Sequence, residues 1–195
     1  MYVRDAKNRE EVWLLDNIEE LELDDSAFRS RDYVIAIDQE SGQKAGFGRI
    51  RIHKKDGADD VCELTSIGVL DAWRGQGVGA HVIERLIAKA GDQGFDAVYA
   101  LVGVPDYLRQ FGFERIEESN LPERLRERLA AKRDGVEPEA VPMLLDVGEF
   151  SVTDRLRERF KAASEREEES SEPEESPEDF GIDPETATYK YDTGR

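Results

Sequence analysis

Arg74-Gly75-Gln76-Gly77-Val78-Gly79-Ala80 sets three glycines within five positions. An apolar run ending at Leu70 precedes it, and an amphipathic segment follows from Gly79. Such residues at a strand-to-helix junction suit one chemistry, the cradling of a phosphate. The first turn of a helix leaves N–H groups without partners inside the helix, and the helix dipole puts partial positive charge there. Glycine lets the main chain approach a pyrophosphate and takes positive φ without strain. Arg74 adds a charge-assisted contact. Gly75, Gly77 and Ala80 also fit the G-x-G-x-x-A of a dinucleotide fold. That fold wants the motif on the first strand of a parallel sheet and an acid ending the next strand. Here hairpin-linked strands come first, and the next strand ends in Leu101-Val102-Gly103, with Asp96 at its beginning. A Walker loop is excluded, since no Gly-Lys-Ser/Thr follows. A glycine-rich turn that binds nothing is the third alternative.

Other reactive side chains are few. Cys62 is the single cysteine, so no intrachain disulfide forms and a reducing compartment is expected. It reads as a small buried strand residue. His53 and His81 are too few, with one cysteine, for a typical zinc site, so no metal is expected.

The elements that position the turn follow from periodicity. Tyr2 to Arg4 suits a short first strand. Asn8 reads as a helix N-cap with Glu11 closing a capping box, and Val12, Trp13, Leu15, Ile18 and Leu21 make the buried stripe of the helix. Tyr33 to Ile37 is a strand, Ser41-Gly42 a turn, and Ala45 to His53 a return strand with Phe47, Arg49, Arg51 and His53 on one face. Asp56-Gly57 turns the chain into a strand over Val61 to Leu70. Val82, Ile83, Leu86, Ile87 and Ala90 then fall at helical spacing. Ala97 to Val102 is apolar enough for a strand buried on both faces. A short helix around Asp106 to Gln110, a strand from Phe113 to Ile116, a charged helix from Pro122 with Leu125 and Leu129, and a last strand over Pro142 to Val147 complete the domain. A helix from Thr153 to about Ser164 carries Leu156 and Phe160.

Charge narrows the function classes. The chain holds 45 acids against 27 bases, a formal net charge of −18. That excludes nucleic acid and anionic membranes as partners, because both need a basic face. No apolar run reaches a membrane span, and Met1-Tyr2-Val3-Arg4-Asp5 does not read as a signal peptide, so a cytoplasmic protein is expected. Dense carboxylates with few lysines suit adaptation to high salt, which screens their repulsion. From Glu165 to Arg195 there are 12 acids and 3 bases. Residues 165–178 lack apolar side chains and read as a disordered linker. Phe180, Ile182, Tyr189 and Tyr191 return afterwards, and 180–191 is expected to dock on the domain or to remain disordered with the rest.

Ile67-Gly68-Val69-Leu70-Asp71-Ala72-Trp73-Arg74-Gly75-Gln76-Gly77-Val78-Gly79 resembles the acetyl-CoA motif of the GNAT superfamily of N-acetyltransferases, and Tyr107-Leu108-Arg109-Gln110-Phe111-Gly112-Phe113-Glu114 resembles its second signature. The order of elements matches over roughly residues 1 to 150. Glu118-Ser119-Asn120-Leu121-Pro122-Glu123 weakly resembles N-acetylglutamate synthase-like members. The resemblance implies an α/β (α+β) fold, with a mixed, mostly antiparallel sheet of about six to seven strands flanked by helices. It implies a domain over 1–150, a C-terminal helix over 151–164 and an acidic tail over 165–195.

The implied activity moves an acetyl group from acetyl-CoA, the co-substrate, to a primary amine by direct attack. The implied acceptor is an amino acid or other small amine. A protein N-terminus, or a non-catalytic acetyl-CoA sensor, is the alternative, and a homodimer stays open. The pantetheine arm would pair with the backbone of Ile67, Gly68 and Val69, and the pyrophosphate would sit on Arg74, Gly75, Gln76, Gly77, Val78, Gly79 and Ala80. Arg49, Arg51 and Arg109 are available for an acceptor carboxylate, against a default of solvated arginines. Glu63 is the expected proton acceptor, an even number of residues before Val69 and so on the face of Ile67 and Val69. The family's usual acid, a tyrosine, falls on Leu108. Tyr107 is turned away by one helical step and is expected to pack in the core. The expectation is therefore catalysis without a tyrosine acid.

Overall fold

The computed structural model describes residues 1–135 and 137–164. The tail expectations for 165–195 lie outside the described residues. Seven strands form one sheet: β1 (Tyr2–Asp5), β2 (Tyr33–Ile37), β3 (Lys44–Lys55), β4 (Ala58–Val69), β5 (Ala97–Val102), β6 (Glu114–Arg115) and β7 (Val141–Asp146), in the spatial order β1-β2-β3-β4-β5-β7-β6. All neighbours pair antiparallel except β4 and β5, which run parallel. This is the mixed, mostly antiparallel sheet that the sequence implied.

Five helices cover it: α1 (Glu11–Glu20), α2 (Val78–Asp92), α3 (Pro105–Arg109), α4 (Glu123–Arg133) and α5 (Asp154–Lys161). On one face, α2 buries Val82, Ile83, Leu86 and Ile87 against Val34, Ile50, Leu64 and Val98. The opposite face carries two smaller clusters. Leu14 and Ile18 of α1 meet Tyr33, Ile35 and Phe47. Leu125 and Leu129 of α4 meet Leu101, with Tyr99 packed alongside. Among the described residues, no helix is long and apolar enough to cross a membrane.

Three sequence expectations shift. The stripe of α1 is Leu14, Asn17 and Ile18, while Val12 and Leu15 are exposed. The helix cap lies one residue early: the Glu10 carboxylate accepts the Lys7 N–H at 2.8 Å, so a short 3-10 turn precedes α1. The Phe113–Ile116 strand shrinks to two paired residues, because Phe113 turns into the main core.

Candidate active site

The β4–β5 ladder is brief. Only Glu63 with Tyr99 and Leu64 with Ala100 are paired, although both strands run on. The cause lies in β4. Between its pairings of Thr65 with Arg49 and Gly68 with Phe47, it holds one more residue than β3, which is a β-bulge. Ser66 takes the strain, with φ 52, and its hydroxyl donates to the Asp24 carbonyl oxygen at 2.7 Å. The bulge bends β4 away from β5 and leaves its 65–69 edge facing a cavity of 670 Å³.

The cavity has two ends. Val69, Gly79, Ile83, Tyr107 and Leu108 line it on the α2 side, and Glu22, Asp24, Thr65, Lys132 and Glu137 line it on the side of α1 and α4. A free strand edge presents unpaired N–H and C=O groups to any extended ligand laid along it.

The bulge also overturns the parity expected for Glu63. Alternation inverts across an inserted residue. A Cβ on Gly48 would strike Ile67 Cδ1 together with Val82 and Leu86 of α2, and a Cβ on Gly79 would lie 3.4 Å from Val69 Cγ2, so Ile67 and Val69 face α2. Glu63 faces the other way, toward α4. Its Oε2 accepts from Arg128 Nε at 3.1 Å and lies 2.8 Å from His53 Nε2. Glu63 is fully buried and stands outside the cavity wall, and its Oε1 has no partner among the described residues. Burial pushes its carboxyl pKa up, but the His53 hydrogen bond and the charges of Arg128 and Lys132 outweigh this and leave it lowered.

Around Glu63 lies a buried set of charges. Arg49 is fully enclosed; it donates to the carbonyl oxygens of Ser26 at 2.7 Å and Ala27 at 3.2 Å, and lies 3.6 Å from Asp24. Arg128 bridges Glu63 to Asp24. Burial raises the Asp24 carboxyl, yet Arg128 and the Ser26 hydroxyl hold it down at about 2. Arg51 Nη1 and Thr65 Oγ1 are buried without partners among the described residues. Lys132 reaches the Leu101 carbonyl oxygen at 2.8 Å and Glu137 at 3.2 Å. Arg109 lies apart, paired with Asp106 on the surface.

Sequence reasoning missed Asp24, Thr65, Arg128 and Lys132. A signal existed for two of them: Arg128 and Lys132 follow Leu125 by three and seven residues, on the buried stripe of α4.

Of the residues expected to hold the donor, Ile67, Val69 and Gly79 line the cavity, and Arg74 to Val78 form the turn at its outer end. Gly75 and Gly77 both take positive φ, and no side chain caps the N-terminus of α2, so its first N–H groups are free of a side-chain acceptor. Arg74 is exposed and ion-paired with Asp71 at 3.0 Å. The Gln76 side chain is spoken for, because it bonds Ala72 and Ser164. Val78 and Ala80 pack into the core. Tyr107 departs from expectation: it does not pack in the core but stands at the cavity rim, 42% exposed, with its hydroxyl against Gly79. Burial of that hydroxyl pushes its pKa up. Leu108 is buried. Cys62 is buried as expected, and burial pushes its thiol up to about 12, far from a nucleophilic thiolate. Among the described residues, no group of three or more His, Cys, Asp and Glu is placed to hold a metal.

The family model described as Acetyltransferase (GNAT) family matches residues 2–115. An uncharacterized N-acetyltransferase of Chlorobaculum tepidum is 25% identical over 65 residues, which is 33% of this chain and 42% of that protein. Among solved structures, N-acetylglutamate synthase of Neisseria gonorrhoeae, complexed with coenzyme A and N-acetyl-glutamate, superposes with a TM-score of 0.61 at 18% identity. The match covers 74% of this chain but 34% of the synthase. Rv2747 of Mycobacterium tuberculosis, in complex with CoA, gives 0.62 at 16% identity over 75% of this chain and 99% of that one. Arabidopsis thaliana Naa50 with a bisubstrate analogue gives 0.51 at 14%, over 73% and 95%. The chain thus spans less than half of the curated relative and about a third of the synthase.

Proposed function

Starting from the chain's membership of the acetyltransferase (GNAT) family, we propose that it transfers the acetyl group of acetyl-CoA to a primary amine by direct attack, with donor and acceptor entering from opposite ends of the split between β4 and β5. The observation that carries this reading is the free 65–69 edge of β4 over a cavity lined from both the α2 side and the α1 and α4 side. The pantetheine arm lies along the main chain of Ile67 to Val69. The pyrophosphate rests on the N–H groups of Gly75 to Ala80, with Arg74 beside it. The acceptor enters past Asp24, Thr65 and Lys132, and is an amino acid or another small amine.

The amine must be neutral to attack the thioester carbonyl carbon. The C–N bond forms, the C–S bond breaks, and the amine proton must go elsewhere. Glu63 Oε1, an unpartnered acceptor, takes it through water. Its lowered pKa makes Glu63 a weak base, so the role rests on its place in the polar network, where His53 Nε2 lies 2.8 Å from Oε2. Tyr107 is the tyrosine on the cavity wall, its hydroxyl against Gly79 on the side assigned to the donor. Its raised pKa keeps it protonated at neutral pH, so it donates to the thiolate.

The test is release of free CoA thiol across amino acids, polyamines, aminoglycosides and peptides, in high salt. Turnover of a peptide alone would move the acceptor to protein N-termini. Acetyl-CoA binding without turnover of any amine would make the chain a sensor.

A further inference from the structure

Helix α5 lies beyond the residues that the family model matches, and it packs on the turn assigned to the pyrophosphate. The Gln76 side chain and the main chain of Ser164 bond each other both ways: Nε2 donates to the Ser164 carbonyl oxygen at 2.8 Å, and the Ser164 N–H donates to Oε1 at 3.1 Å. Arg159 Nη1 reaches the Gly75 carbonyl oxygen at 3.4 Å. The Phe160 ring stacks on the face of His81 at 3.9 Å, and at the edge of that imidazole Nδ1 lies 2.9 Å from the Gly77 carbonyl oxygen. A Cβ on Gly77 would lie 2.5 Å from the Leu156 carbonyl oxygen, so main chain meets main chain there. Gly77, His81 and Glu84, which pairs with Arg157, share one flank of α2. Gly79 and Ile83, on another flank, face the cavity. Helix α5 therefore grips the turn from behind and leaves its ligand side open.

Such a turn needs a grip. Two of its residues are left-handed glycines, which lose the most conformational freedom when fixed, and no side chain caps the helix that follows. An anion site made of main-chain N–H groups binds tightly only if those groups converge before the ligand arrives. We propose that α5 is a positioning element of the donor site: Gln76, Phe160 and Arg159 hold the 74–80 turn in its phosphate-receiving form. This rests on the acetyl-CoA reading above.

The experiment compares two donors. Acetyl-CoA carries the pyrophosphate; acetyl-pantetheine ends before it and does not touch the turn. Arg159→Ala, at the rim, and Phe160→Ala, at the packing contact, are assayed with both, alongside a chain stopped after Ser164 that keeps α5. Each substitution is expected to weaken CoA binding by calorimetry, and to raise KM for acetyl-CoA, about tenfold, with kcat at saturation unchanged. The kcat/KM for acetyl-pantetheine should match wild type, and the chain stopped after Ser164 should bind CoA as wild type does. Equal CoA binding by wild type and Phe160→Ala overturns the proposal. So does a parallel loss on both donors, which marks general damage to the fold. A wild-type chain that fails to bind CoA sinks the acetyl-CoA reading itself, and this proposal with it.

Discussion

On the α2 side of the sheet, what a ligand meets is main chain: glycine N–H groups, the first turn of a helix and the bare edge of a strand. On the other side it meets side chains that are buried, charged and bound to one another, namely Asp24, Arg49, Glu63 and Arg128 with His53. The first arrangement suits a fixed chemical handle met by groups every residue owns, and only glycines betray it. The second depends on which side chain stands where, and its members come from four separate segments. Loss of a partner is expected to hurt the second side more, since an ion stripped of its counter-ion inside a protein costs far more than a weakened surface contact.

Five measurements break or sharpen this contrast. The largest effect should come from Arg128→Ala, which leaves buried Glu63 and half-buried Asp24 without their shared cation. Denaturant unfolding should show a loss of about 3–5 kcal/mol. A loss under 1 kcal/mol would mean that water already reaches the network. Next, Glu63→Gln should lower kcat about a hundredfold at saturating acetyl-CoA, and Tyr107→Phe roughly tenfold, because a thiolate leaves passably without help. Unchanged turnover in Glu63→Gln removes Glu63 from the chemistry and leaves it an anchor for Arg128.

On the main-chain side, Gly75→Asp adds a carboxylate where a Cβ meets nothing within 4 Å. It should weaken CoA binding on the order of tenfold to a hundredfold, and lower the melting temperature by only a few degrees, the cost of a side chain at the positive φ of Gly75. Gly77→Asp is the poorer probe, since it drives into α5.

The smallest effects concern solvent. Asp24 sits near 2 when folded against 3.8 when free, so its contribution is complete above about pH 4 and fades as pH falls toward 2. An acid melt should show that loss in wild type, and Asp24→Asn should flatten it. At neutral pH the melting temperature should rise as KCl approaches molar levels, given a net charge of −18, and a flat response would end the salt-adaptation reading.

The fold was largely legible. Hydrophobic period and turn residues gave the strand and helix order, and two glycine-bearing signatures fixed its class. Where the reading went astray, tertiary context had no local mark. Val12 and Leu15 are as apolar as Leu14, yet the angle at which α1 meets Phe47 decides which of them is covered. The glycine turn at the head of α2 was legible because glycine is rare in such density and has few uses. The charged cluster on the other face was not. Nothing near Glu63 in the sequence announces Arg128, 65 residues on. Tyr107 was misplaced because ideal helical rotation was applied to a five-residue helix that starts on a proline, where the chain's approach angle matters more than the step per residue.

Ser66 works like a frameshift in the alternation of β4. Before it, one set of residues reads out on the face that carries Glu63; after it, the complementary set does. A chain lacking Ser66 would keep one frame throughout. Its strand could run on straight beside β5, closing the gap that the cavity occupies. Such a variant is expected to keep its circular dichroism and lose CoA binding. The distance between a sealed sheet and one with a slot through it is then a single codon, and it is one whose side chain need touch neither substrate.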